Sequence, residues 1–190
     1  MKYLSRTLLL IAASAWCSAG SARAADSASG ELQLRGTAPR VCQMPDPTAV
    51  NSGNASVQSM TVTVNSLVNQ QDSTIQAWQA SLNYAGVMCN YSATLSLRSL
   101  RGGMKIVGPA VQPVGGTFLT QVDYTATAKW GNLPDLILNT ASNGTEPVSV
   151  LSPGPNKADL LININTPGST VPLVEGSFQD TLIIKVGPAI

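Results

Sequence analysis

Ser27-Ala28-Ser29-Gly30-Glu31-Leu32-Gln33-Leu34-Arg35-Gly36 alternates small or apolar residues with polar ones. Ala28, Gly30, Leu32 and Leu34 share one parity, and Glu31, Gln33 and Arg35 share the other. Successive strand residues point to opposite faces, so an extended chain here has one apolar edge and one wet edge. The stretch predicts an amphipathic strand near the start of the processed chain, where residues are loose unless something ties them down. Such a strand can complete a sheet in its own molecule or in another. That choice decides both the fold and the role.

Upstream of it, residues 1–24 read as an export signal. Lys2 and Arg6 give a positive start, Leu8 to Trp16 a short apolar core, and Ala22-Arg23-Ala24 the small residues that a signal peptidase reads. The apolar core is too short for a membrane span. Cys17 follows Trp16, whereas a lipid-attachment site wants a small residue there. No later run is apolar for long enough to cross a bilayer, so no membrane span is expected. Removing 24 of 190 residues leaves 166, enough for one domain over 25–190 with a sizeable core. Three of the 11 basic residues (Lys2, Arg6, Arg23) leave with the signal and none of the 10 acidic ones do, which leaves 8 against 10 and a net charge of −2. This balance gives no reason to expect nucleic acid or an anionic membrane as a partner.

Two cysteines remain after cleavage, Cys42 and Cys89. An even pair in an exported chain reads as a disulfide, with two buried free thiols as the alternative. The long loop it closes corresponds to about 4 kcal/mol in the chain-entropy description. The sequence has no His and no third processed-chain Cys to complete a zinc set, so no metal site and no cofactor are expected.

Helix signals are nearly absent. Strand-like runs recur instead, at Met60 to Val64, Ser81 to Met88, Tyr91 to Leu100, Leu119 to Trp130, Pro147 to Leu151, Leu160 to Ile164 and Phe178 to Val186. In the second run Leu82, Tyr84, Gly86 and Met88 are in phase. In the last, Phe178, Leu182, Ile184 and Val186 lie on one face, with Asp180 interrupting. Turn residues such as Gly102-Gly103, Asn143-Gly144 and Pro153-Gly154-Pro155 punctuate the runs. Seven or eight short strands with this punctuation predict an all-β sandwich. Ser66 to Gln79 has no clear alternation and is open to a short helical turn. Ala25 to Ser29 read as a linker.

Enzyme chemistry finds little support, and no catalytic residue is assigned. Absence of His removes the usual general base and most hydrolytic triads. No G-x-S-x-G elbow, S-x-x-K pair, P-loop or dinucleotide pattern occurs. Asp123, Asp135, Asp159, Glu175 and Asp180 read as scattered surface acids, since sequence alone brings no two together. Trp78 and Trp130 have two readings, a stacking platform for sugars or core filling, and the second is favoured.

Four stretches in order resemble the pilin subunits of the chaperone–usher pathway. They are Gly30-Glu31-Leu32-Gln33-Leu34-Arg35-Gly36 followed by Cys42, Leu82-Asn83-Tyr84 leading to Cys89, Ala93-Thr94-Leu95-Ser96-Leu97 through Gly102-Gly103-Met104, and Gly176-Ser177-Phe178-Gln179-Asp180-Thr181-Leu182. The last resembles the closing Gly-x-Tyr-x-Asp-x-Leu signature, with Phe in the Tyr position. The related spore-coat-U-like group shares that signature and a strand such as Val122-Asp123-Tyr124-Thr125. The chain ends Val186-Gly187-Pro188-Ala189-Ile190, where many pilins end in an aromatic residue.

The resemblance implies an immunoglobulin-like β-sandwich that lacks its last strand and is completed by donor-strand exchange. Residues 25–39 would be the N-terminal extension, with Ala28, Gly30, Leu32 and Leu34 as the donor strand. Phe178, Leu182, Ile184 and Val186 would line the acceptor groove. The implied partners are a periplasmic chaperone, an outer-membrane usher and neighbouring pilin subunits, in a homo- or hetero-polymer carried to the cell surface as a fimbria that supports adhesion. Two other roles stay open at this point: a tip or minor adhesin that binds a host glycan or protein, and a self-contained secreted β-sandwich whose first strand folds back on its own body.

Overall fold

Alternating residues settle into antiparallel strands, and the fold is all-β. The computed structural model describes residues 30–109 and 113–188. The expected signal at 1–24, the expected linker with Ala28, and residues 189–190 lie outside the described residues. In chain order the strands are β1 (Cys42–Gln43), β2 (Thr48–Gly53), β3 (Ala55–Gln58), β4 (Thr61–Val64), β5 (Trp78–Cys89), β6 (Ala93–Ser99), β7 (Met104–Ile106), β8 (Gln121–Val122), β9 (Thr125–Trp130) and β10 (Leu136–Asn139). A single helical turn, α1 (Thr140–Asn143), precedes β11 (Val148–Ser152), β12 (Asn156–Thr166), β13 (Phe178–Gln179) and β14 (Leu182–Pro188). Among the described residues no helix is long and apolar enough to cross a membrane.

Residues from Ala38 onward form one compact unit. Its largest sheet runs β1-β5-β12-β9-β10, with β2 also on β5. A second sheet runs β11-β6-β14, a third β13-β7-β8, and β3 and β4 form a separate hairpin. The two larger sheets share one core. Leu82, Ala126, Trp130, Leu160 and Ile162 come from the first, and Ala93, Leu95 and Leu97 from the second. Trp130 is fully buried and donates its indole N–H to the Val87 carbonyl at 3.2 Å. Trp78 is also buried, so both tryptophans fill the core. Ile75, Val122 and Leu173 make a smaller cluster, against which Phe178 packs.

Cys42 and Cys89 form a disulfide, at facing positions of β1 and β5. Alternation along β5 runs through Trp78, Ala80, Leu82 and Tyr84, all buried, and so begins three residues before the expected run at Ser81. It then changes phase. Gly86 adopts φ +67°, its N–H donates to an Asp159 carboxylate oxygen at 2.8 Å, and the register against β12 shifts between Ala158 and Leu160. This bulge buries Val87 and Cys89 and turns Gly86 and Met88 off the core face, against the phase expected from the sequence. A left-handed φ at this point suits glycine.

Two other runs are interrupted. Leu119 to Trp130 divides into β8 and β9 at Asp123-Tyr124, and Phe178 to Val186 divides into β13 and β14 at Asp180-Thr181. Ser66 to Gln79 holds no helical turn. Val68 and Ile75 form an antiparallel bridge across a tight turn, and β5 begins at Trp78. The N-terminal unit is described from Gly30 to Thr37. These residues carry no regular secondary structure, and Leu32 and Leu34 are 82% and 86% exposed. An amphipathic strand has no ladder partner within eight residues of itself, so its alternation alone does not make it a strand.

Candidate functional site

The closing segment Gly176 to Leu182 organises one side of the molecule. Its Asp180 carboxylate accepts hydrogen bonds from the Ser99 hydroxyl, the Arg101 N–H at 2.9 Å, the Thr181 N–H at 2.7 Å, the Gly103 N–H at 3.3 Å and the Tyr124 hydroxyl at 2.8 Å. The Ser99 hydroxyl, itself buried, also accepts from the Gly102 N–H at 2.7 Å. Gly103 has φ +114°, and a Cβ there would lie 2.7 Å from Gln121 Nε2 and 2.9 Å from the Asp123 carboxylate, so this turn needs glycine. The acid that interrupts the last strand is therefore a staple for the Ser99 to Gly103 turn. Burial, reinforced by the hydrogen bond to Asp180, holds the Tyr124 phenol well above its ordinary pKa.

Beyond that staple, β14 pairs with β6 along Leu182 to Pro188 and, among the described residues, with no strand on its other side. The core-facing residues of β6 are completely buried at Ala93, Leu95 and Leu97. Those of β14, Leu182, Ile184 and Val186, are only half-buried. Among the described residues hairpin strand β4 likewise pairs only with β3, and its inward Val62 and Val64 are half-buried. Two incompletely covered apolar rows thus border one opening.

That opening is a groove of about 360 Å³. One wall is Thr61, Val62 and Val64 of β4, and the other is Leu182 and Ile184 of β14. Trp78, Leu82 and Tyr84 of β5 and Ile164 of β12 line it between them. Tyr124, Asp180 and Thr181 add a polar patch, and Met44, Met60 and Met104 complete the lining. Burial, with a smaller contribution from the charge of Asp46, also raises the pKa of the Tyr84 phenol. Both phenols therefore stay neutral at physiological pH, and the lining is predominantly apolar. Arrangement and chemistry suit an extended apolar segment that offers backbone N–H and C=O groups to the strand edges.

Expected groove residues divide accordingly. Leu182 and Ile184 line the groove. Val186 is on the same face of β14 and packs on the main core without being part of the lining. Phe178 lies on β13 beside Ile106 and lines a separate cavity with Leu67, Val68 and Leu173. Sequence reasoning missed the opposite wall. Val62 and Val64 were legible as an alternating strand, but nothing in their spacing places them across from β14. Of the remaining acids, Glu175 borders the cavity beside Phe178 and three have local partners. Asp123 accepts from Gln121 and Thr140, Asp159 from Gly86, and exposed Asp135 lies 3.9 Å from Lys129. Among the described residues no three His, Cys, Asp or Glu side chains gather as metal ligands would.

Comparison of the chain with protein-family descriptions, curated proteins and solved structures gives no match.

Proposed function

We propose that this chain is a structural subunit of a surface fimbria, an incomplete immunoglobulin-like β-sandwich that polymerises by donor-strand complementation. The groove of one copy receives residues Ala28 to Leu34 of a second copy. A periplasmic chaperone occupies the groove before assembly, and the exchange takes place at an outer-membrane usher.

One observation carries this reading: a groove lined by β4 and β14, each with a single strand partner among the described residues, with Leu182 and Ile184 left half-buried inside it. An internal strand of a finished sheet has two neighbours, and an open apolar edge is a hazard that proteins cover or fill. The length of the proposed occupant agrees. Ala28 to Leu34 is seven residues and β14 is seven residues, each about 24 Å when extended. Leu32 and Leu34, exposed in their own chain, are two residues apart and would enter the groove together.

The test compares the exported full chain with one lacking Ala25 to Arg35, each expressed with and without the chaperone. The full chain is expected to form polymers. The shortened chain is expected to stay bound to the chaperone, to release it for a synthetic peptide spanning residues 25–37, and to form no polymer. A shortened chain that is a stable, cooperatively unfolding monomer on its own and ignores the peptide would refute the proposal.

A further inference from the structure

Five methionines occur in the sequence, four of them after the signal. Three of those four, Met44, Met60 and Met104, line the groove. They come from three separate segments: the stretch after β1, the β3–β4 turn, and the start of β7. Met60 is 71% exposed and Met44 is 38% exposed, while Met104 is half-buried. The fourth, Met88, is half-buried on β5 outside the groove. Unbranched thioethers suit a groove that must fit itself to an incoming segment, and exposed ones are also the side chains most open to two-electron oxidants.

We propose that Met44 and Met60 are an oxidation-sensitive modification site that controls whether the groove can hold a strand. The inference rests on the strand-capture reading above. The oxidant class is hypochlorous acid. A thioether sulfur gives its electron pair to the oxygen of HOCl, the S–O bond forms as the O–Cl bond breaks, chloride leaves, and the hydroxyl proton passes to water. Sulfur is oxidised by two electrons and chlorine is reduced. The product sulfoxide is a strong, bulky hydrogen-bond acceptor on an apolar wall. Covering it with Leu32 or Leu34 of a second copy would bury a polar oxygen without a donor. The modification therefore weakens capture without touching the core, and methionine sulfoxide reductases of both epimer types would restore it.

The experiment uses the exported full chain carrying Leu32→Asp and Leu34→Asp as its parent, so that no copy's own extension competes for the groove, and a fluorescent peptide of the unsubstituted residues 25–37. Graded hypochlorous acid is followed by peptide mass spectrometry, and peptide binding is measured by anisotropy at each step. Sulfoxide is expected at Met44 and Met60 at oxidant doses that leave Met88 unmodified, with a loss of affinity of about tenfold or more. A Met44→Leu, Met60→Leu double variant conserves volume and is expected to keep its affinity after the same treatment. Modification of Met88 before Met44 and Met60 would overturn the site, and that result is read on the parent chain whether or not the variant folds. An equal loss of affinity in parent and variant would overturn the control of capture. Failure of the reduced parent to bind the peptide at all would instead refute strand capture, and the switch with it.

Discussion

Replacing both Leu32 and Leu34 by Ala separates what these side chains do at home from what they do in a neighbour. In their own chain they are 82% and 86% exposed, so the double change should move that chain's unfolding free energy by no more than about 0.5 kcal/mol. In a neighbour's groove the same change strips three carbons from each apolar contact. At about 0.8 kcal/mol per carbon, each leucine is worth about 2.4 kcal/mol when fully covered. One substitution then weakens capture about 50-fold, and the two together weaken it a few thousandfold. The assay is fluorescence titration of groove-competent protein with peptides spanning residues 25–37. Only Trp78 and Trp130 lie beyond residue 24. Trp78 lines the groove, whereas Trp130 is fully buried outside it, so a spectral change reports Trp78 and should vanish in Trp78→Phe. A doubly substituted peptide that binds within threefold of the parent would refute pocket insertion. Loss of several kcal/mol from the substituted chain's own stability would show that the leucines are buried at home.

Asp180→Asn puts an amide N–H₂ against a ring of donors, and the cost of a disrupted charge-assisted network is about 3 kcal/mol, to be read as a lower urea midpoint at unchanged m-value. Raised phenol pKa values at Tyr124 and Tyr84 mean that the folded protein holds these protons more tightly than the unfolded chain. Stability should therefore be level up to about pH 9 and fall once pH exceeds the ordinary tyrosine value near 10, by up to about 1.4 kcal/mol per pH unit for each phenol, and Tyr124→Phe should flatten that fall in denaturation curves taken from pH 8 to 12. Cys42→Ser with Cys89→Ser opens a loop of sequence separation 47 and should lower stability by about 4 kcal/mol, measured against the oxidised parent by chemical denaturation.

Strand content was legible wherever one face of a strand is buried and the other is wet. Thr61 to Val64 and Ala93 to Ser99 fell within expected runs, and Val148 to Ser152 overran its expected run by one residue; period-two alternation is a direct record of a one-sided core. Phase was legible only as far as the first bulge. Gly86 reads as one more small residue in register, and only the carboxylate of Asp159, 73 positions away, reveals that it resets which side chains face inward. Asp180 presents the same difficulty. As a polar residue on an apolar face it looks like a blemish in one strand. Its five donors come from β6, the turn that follows it, Tyr124 and its own neighbour, and their sum ends one strand and begins another. Hence Phe178, in phase with Leu182 in the sequence, belongs to a different cluster. Half of the groove was readable from β14. The other half depends on a hairpin brought opposite by long-range packing, which leaves no local mark.

Whose segment fills the groove can be read directly by photo-crosslinking. A photoreactive residue replaces Leu32 in isotopically heavy chain, which is mixed with light chain during assembly, irradiated and mapped by mass spectrometry. Crosslinks that join the heavy position 32 to light Thr61–Val64 or Leu182–Pro188 are expected. Links confined to the heavy chain's own residues, at any mixing ratio, would contradict donation between copies.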